Sequence, residues 1–181
     1  ATNTIDISSM TSAVAITGGT GADTITGGSG ADTIIGGTGN DIYKFAATGA
    51  LNGTDIYAAN IVVANDKLDF TAFQSGLTFN TTAIEHNATA DIDITNKIVM
   101  VATTNASVAE TNTTTKIAAL IEGIGDAMHL QSGGKAIVIG GDNSAATAGA
   151  VIAYVDDGLG ANAGTFEADD VVIVATTTLD I

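Results

Sequence analysis

The feature that most constrains this chain is a nine-residue unit that recurs three times without a break. GGTGADTIT (18–26), GGSGADTII (27–35) and GGTGNDIYK (36–44) all read G-G-x-G-x-D, and Asp23, Asp32 and Asp41 lie nine positions apart. So short a period describes one structural element stacked on copies of itself, because a single nonapeptide cannot bury an apolar face alone. The glycines allow a tight turn whose carbonyls point inward. The sixth-place Asp adds a hard anionic oxygen, the donor that Ca2+ prefers. The last three residues form a short strand whose middle side chain points inside: Ile25, Ile34 and Tyr43.

Weaker copies flank the three. Upstream, SMTSAVAIT (9–17) places Ile16 at the inward position without a glycine turn, so it extends the stack without binding metal. Downstream, GTDIYAA (53–59) echoes GNDIYKF (39–45), aligning Gly53 and Asp55 with Gly39 and Asp41. The Asp41–Asp55 interval is 14, one period plus a five-residue insertion, which makes a fourth, imperfect repeat.

Composition excludes several functions. Twenty acidic residues against five Lys and no Arg give a net charge of −15, which repels phosphate backbones and argues against nucleic-acid binding. The lack of Cys removes disulfides, zinc-thiolate sites and thiol catalysis. No apolar run approaches the ~20 residues of a membrane span, and the N-terminal ATNTIDISSM lacks the charged and apolar regions of a signal peptide. It also lacks an initial Met, so the gene start is expected upstream. A chain of 181 residues with 45% hydrophobic positions is expected to pack a core rather than stay disordered.

The three nonapeptides resemble the hemolysin-type calcium-binding repeats of the RTX exoproteins. The resemblance implies a parallel β-roll in which two nonapeptides make one coil, so that turns on one side come from alternate repeats and Ca2+ sits between them. One ion is then expected between the turns Gly18–Asp23 and Gly36–Asp41. It would be held by Asp23 and Asp41 and by the carbonyls of Gly18, Gly19, Thr20, Gly21, Gly36, Gly37, Thr38 and Gly39. A second is expected between Gly27–Asp32, with Gly28, Ser29 and Gly30, and the shorter turn Gly53–Asp55, giving about two ions in all. The segment DIYAANIVVANDKLDFTAF (55–73) resembles the stretch that follows the roll in that family, with Asp55, Asp66 and Asp69 on its acidic positions. Asp66 would ligate a terminal ion; its A-N-D-K context suits a solvated turn equally well.

Beyond residue 74 the pattern changes. IDITNKIVMVAT (92–103) alternates and is rich in β-branched residues, which predicts a strand. KIAALIEGIGDAM (116–128) carries apolar residues at helical spacing, which predicts one short amphipathic helix near 115–126 that packs on a sheet. KAIVI (135–139), AVIAYV (150–155) and DVVIVA (170–175), separated by Gly-, Asn- and Asp-rich turns, predict a β-meander. The fold expected is therefore mainly β: a calcium-binding parallel β-roll over residues 1–60, then a β-rich domain over 61–181 with one short amphipathic helix.

No catalytic seat is visible. His86 and His129 have no partner motif, Asp91 and Asp93 share a strand face that suits solvent, and Asp156, Asp157, Asp169 and Asp170 sit at turn edges. No G-x-S-x-G elbow occurs, so a non-enzymatic role is expected. The C-terminal third is similar to the C-terminal domain of RTX-type bacterial S-layer and related surface proteins exported by type I secretion, and LDI (179–181) fits the end of such an export signal. That likeness implies a secreted, cell-surface, self-assembling protein. Its partners would be calcium, the type I secretion machinery, further copies of itself and cell-surface polysaccharide. The alternative is a folding and secretion module of a larger exoenzyme or adhesin.

Overall fold

A computed structural model describes residues 1–58, 65–79, 84–85, 92–93, 95–102, 128–129, 134–141, 150–157 and 170–177. The fold is mainly β, as the repeats and the β-branched runs predict, and the repeats form a β-roll. The amphipathic helix expected near 115–126 lies outside the described residues. Two compact units divide the chain: residues 1–75 together with 174–181, and residues 76–173. The repeat pattern alone placed the roll in 1–60.

In the first unit each repeat contributes one strand, and successive repeats alternate between two parallel sheets. One sheet orders β1 (Thr4–Asp6), β3 (Thr24–Thr26), β5 (Ile42–Lys44) and β7 (Lys67–Asp69). The other stacks β2 (Ala15–Thr20), β4 (Thr33–Thr38) and β6 (Asp55–Tyr57). Registers follow the period: Ile5, Ile25, Tyr43 and Leu68 align in the first sheet, and Ile16, Ile34 and Tyr57 in the second. These are the inward positions, and Ile16, Ile25, Ile34, Tyr43 and Tyr57 are all buried. With side chains alternating across each strand, the intervening Thr residues face outward.

The roll's core changes character along its axis. Isoleucines fill the early coils, whereas Tyr43, Phe45, Tyr57, Phe70 and Phe73 fill the later ones. Tyr43 meets Tyr57 edge-on at 5.2 Å between ring centroids, and Phe45 lies 5.5 Å from Tyr57 and 4.6 Å from Phe70, within the range where aromatic pairs add to simple burial. The five-residue insertion becomes a single helical turn, α1 (Gly49–Asn52). Its buried Asn52 ties the loop shut, accepting the Ala46 N–H at 2.7 Å and donating to the Thr48 carbonyl at 2.8 Å. The C-terminal strand β15 (Val171–Thr177) returns to this unit: Ala175, Thr176 and Thr177 pair in parallel with Asp55, Ile56 and Tyr57 of β6.

The second unit centres on β11 (Lys97–Ala102), β13 (Lys135–Gly141) and β14 (Ala150–Asp156). Short strands β8 (Thr78–Phe79) and β9 (Ile84–Glu85) pair with β11, and β10 (Ile92–Asp93) pairs with β12 (Met128–His129). β11 and β13 run parallel and β13 and β14 antiparallel. Ala136, Ile137, Val138 and Ile139 are all buried, as are Ile152, Ala153, Tyr154 and Val155. A strand buried on both faces reads as a continuous apolar run rather than an alternating one. At the edge of this run Lys135 pairs with Asp156 at 2.8 Å. The strand predicted over 92–103 is divided, because Asn96 adopts a left-handed φ of 59° in a turn between β10 and β11, a conformation Asn tolerates better than most residues.

Candidate metal centre

The turns between strands stack on two sides of the roll. On one side turn 18–23 lies against turn 36–41: Gly19 pairs with Gly37 and Thr20 with Thr38. The approach is so close that a Cβ on Gly37 would collide with the Gly19 carbonyl, and one on Gly39 with that of Gly21. On the other side turn 27–32 packs between the Met10–Ala13 segment and Gly53. A Cβ on Gly53 would collide with the Gly30 carbonyl and stand 2.9 Å from that of Ser29.

The Asp residues form a ladder on each side. Asp41 N–H donates to Asp66 Oδ1 at 2.8 Å, Asp23 N–H to Asp41 Oδ1 at 2.9 Å, and Asn3 N–H to Asp23 Oδ1 at 2.7 Å. On the opposite side Asp32 N–H donates to Asp55 Oδ1 at 2.9 Å and Val14 N–H to Asp32 Oδ1 at 2.8 Å. Each carboxylate thus caps the strand of a neighbouring coil through one oxygen. Asp23, Asp32, Asp41 and Asp55 are all buried.

The second oxygens distinguish the two sides. Asp32 Oδ2 accepts the Gly28 N–H at 3.0 Å. Asp23 Oδ2 and Asp41 Oδ2 are buried and accept no hydrogen bond. A buried carboxylate oxygen without a donor is costly unless a cation supplies its partner. The pairing of β2 with β4 has no rung at Gly18 and Gly36, and both orphan oxygens aim there. A Cβ on Gly18 would stand 2.5 Å from the Gly36 carbonyl and 2.6 Å from Asp23 Oδ2, whereas one on Gly36 would collide with Asp41 Oδ2 and the Tyr43 hydroxyl. Glycine keeps this space open, and its walls are carbonyl and carboxylate oxygens.

That donor set fits Ca2+, which takes oxygen ligands from carboxylates and backbone carbonyls in adaptable geometry. Among the described residues no three His, Cys, Asp or Glu side chains gather into a metal-holding group, so backbone carbonyls must supply much of the coordination. The residues that would hold the ion are Asp23 and Asp41 with the carbonyls of their turns. Gly27, Asp32 and Asp55 also come together: a Cβ on Gly27 would stand 3.1 Å from Asp55 Oδ2 and 3.4 Å from Asp32 Oδ2. Burial pushes the Asp55 carboxyl up to about 7, reinforced by the Asp32 charge and opposed by the Asp32 N–H.

Three contributors escape the repeat pattern. Asn3 stands at the register position of Asp23, one coil back: its N–H is capped by Asp23 Oδ1, and its Nδ2 donates to the Gly18 carbonyl at 3.0 Å. The signal was present, since N-T-I at 3–5 echoes D-T-I at 23–25. Val14 occupies the equivalent place before β2, one residue ahead of the Ala15–Thr33 rung, and offers only its N–H. Tyr43, read from the sequence purely as a core residue, brings its hydroxyl beside Gly36, where it is the atom nearest the position a Cβ would take.

The family model for the RTX calcium-binding nonapeptide repeat (4 copies) matches residues 15–43. No curated protein and no solved structure matches the chain. Residues 15–43 therefore carry calcium-binding repeats, and repeats of this kind imply an exported protein. No helix among the described residues is long and apolar enough to cross a membrane.

Proposed function

We propose that the chain is a calcium-set structural segment of a bacterial surface protein of the S-layer type, which folds after export and associates with further copies of itself outside the cell. The observation that carries this reading is the pair of orphaned, buried oxygens on Asp23 and Asp41 beside the gap at Gly18 and Gly36. Without a cation these carboxylates repel one another in a space that excludes water, and the roll is disfavoured. A bound Ca2+ supplies the positive charge that offsets them. Because the site requires both turns, binding free energy becomes folding free energy, about 2.7 kcal/mol at a hundredfold excess of ligand over Kd.

The absence of Pro supports folding after export, since no X-Pro isomerisation of tens of seconds delays the chain as it emerges. Carriage by the type I secretion machinery, contact with surface polysaccharide and the lack of any catalytic role belong to the same reading. Calcium titration followed by circular dichroism tests it: β signal should rise cooperatively with calcium and fall on adding EDTA. A spectrum indifferent to EDTA overturns the calcium-set fold. Electron microscopy at millimolar calcium should then show ordered sheets or filaments.

A second reading, an RTX folding and secretion module of a larger exoenzyme or adhesin, is favoured by the return of β15 to β6. There β15 adds a parallel strand beyond β6, covering that edge of the roll's sheet. A calcium-stable monomer without lattice would select this reading.

A further inference from the structure

We propose that Tyr43 is a member of the cation site in turn 36–41, its hydroxyl supplying a neutral oxygen on the inner wall of the site beside Asp41 Oδ2. This rests on the calcium-binding reading and adds a side chain to it. The preceding two repeats carry Ile25 and Ile34 at the position of Tyr43, and these end in methyl groups. Tyr43 is buried like them, yet its longer side chain carries a polar oxygen from the apolar core into the turn.

Two observations locate that oxygen. It and Asp41 Oδ2 are the two atoms closest to the position a Gly36 Cβ would take, so they face one space. Asp41 Oδ2 is itself buried and accepts no hydrogen bond. At neutral pH a phenol is a neutral hydroxyl, able to offer a lone pair to a cation or its O–H to a carboxylate. The ring is held edge-on by Tyr57, which fixes where the hydroxyl points. A buried Tyr hydroxyl normally finds a polar partner, and here the polar atom lining the same space is Asp41 Oδ2.

The test uses the full chain. Tyr43→Phe keeps the ring and removes only the oxygen. It should reach the wild-type β signal at saturating calcium, with the midpoint of the calcium titration raised roughly three- to tenfold, the range expected for one lost polar contact. A second variant, Tyr57→Phe with Tyr154→Phe, leaves Tyr43 as the last tyrosine in a chain that has no Trp. Terbium added to it in place of calcium should luminesce when the phenol is excited, and calcium should quench that emission by competition. An unchanged midpoint in Tyr43→Phe overturns the proposal. So does dark terbium in the single-tyrosine variant while calcium still folds it. Should Tyr43→Phe not fold at any calcium concentration, the terbium measurement decides alone. A wild-type chain that ignores calcium altogether is a different result, because it overturns the calcium reading first.

Discussion

The two turn stacks of the roll are built from nearly the same six residues and adopt different states. GGTGAD at 18–23 and GGTGND at 36–41 hold Gly19, Gly21, Gly37 and Gly39 at φ between 106° and 135°, and leave Asp23 Oδ2 and Asp41 Oδ2 without donors. GGSGAD at 27–32 has neither Gly28 nor Gly30 in the left-handed range, and Gly28 turns its N–H onto Asp32 Oδ2. Local sequence does not explain the contrast. The neighbours do. Turn 18–23 lies against a turn of its own length and glycine pattern, so carbonyl faces carbonyl and each conformation supports the other. Turn 27–32 lies between a glycine-free segment, whose Met10 carbonyl accepts the Ser29 N–H at 2.9 Å, and Gly53, the single glycine of the shortened repeat. A Gly-rich turn adopts the open, oxygen-lined form where its partner matches, and closes on its own Asp where it does not.

The largest effect should come from breaking the matched stack itself. Gly37→Ala introduces a Cβ that collides with the Gly19 carbonyl at a φ of 108°. It should cost about 3 kcal/mol or more and abolish calcium-induced β signal at calcium levels that saturate the wild type. Gly19→Ala is the control: its φ is 106°, but a Cβ there meets nothing within 4 Å. Strain alone then applies, about 1–2 kcal/mol, and calcium should still fold the variant. Equal losses in the two, measured by thermal melting in calcium, would show that backbone strain rather than stacking distinguishes the sides.

A smaller, more specific effect should separate the carboxylates. Asp41→Asn removes charge from an oxygen that has no donor, so calorimetric titration should count about one ion fewer at saturation. Asp32→Asn leaves the ion count unchanged. It instead strands one of the N–H groups of Val14 and Gly28 that Asp32 accepts, lowering stability by about 1–3 kcal/mol. If both variants lose an ion, the second stack also opens around calcium, as the family resemblance implies.

Much of this was legible in the sequence, and what was not has a common cause. The nine-residue period set the inward residues Ile25, Ile34 and Tyr43. The family resemblance implied the alternation of turns, which paired Asp23 with Asp41 and Asp32 with Asp55 across the inserted α1. Asp66 joins the first ladder because β7 pairs with β5 in the first sheet, which a count of nines does not reveal. The different closure of turn 27–32 depends on Met10 and Gly53, residues outside its own repeat. The return of β15 onto β6 could not be read from any local pattern, since parallel pairing between residues 55–57 and 175–177 leaves no signature in either segment alone. Periodicity reports what a residue shares with its copies; it is silent on what happens where the copies stop.

The mildest expected effect uses that boundary. Asp55 belongs to the imperfect repeat, and its carboxyl is raised to about 7, first by burial and then by the Asp32 charge. A carboxyl raised on folding holds its proton more tightly in the folded chain than in the unfolded one. Its contribution to stability is therefore full below the ordinary carboxylate range and is lost as pH rises toward 7. At a fixed, saturating calcium level the roll should melt at progressively lower temperature between mildly acidic and neutral pH, with about one proton taken up on folding in that window. Asp55→Asn cannot ionise and should flatten that slope, while its amide oxygen can still accept the Asp32 N–H that Asp55 Oδ1 accepts at 2.9 Å. An unchanged slope in Asp55→Asn would move the proton to another group. The second stack would then differ from the first in how its turn closes, and not in holding a proton where its counterpart is built to hold an ion.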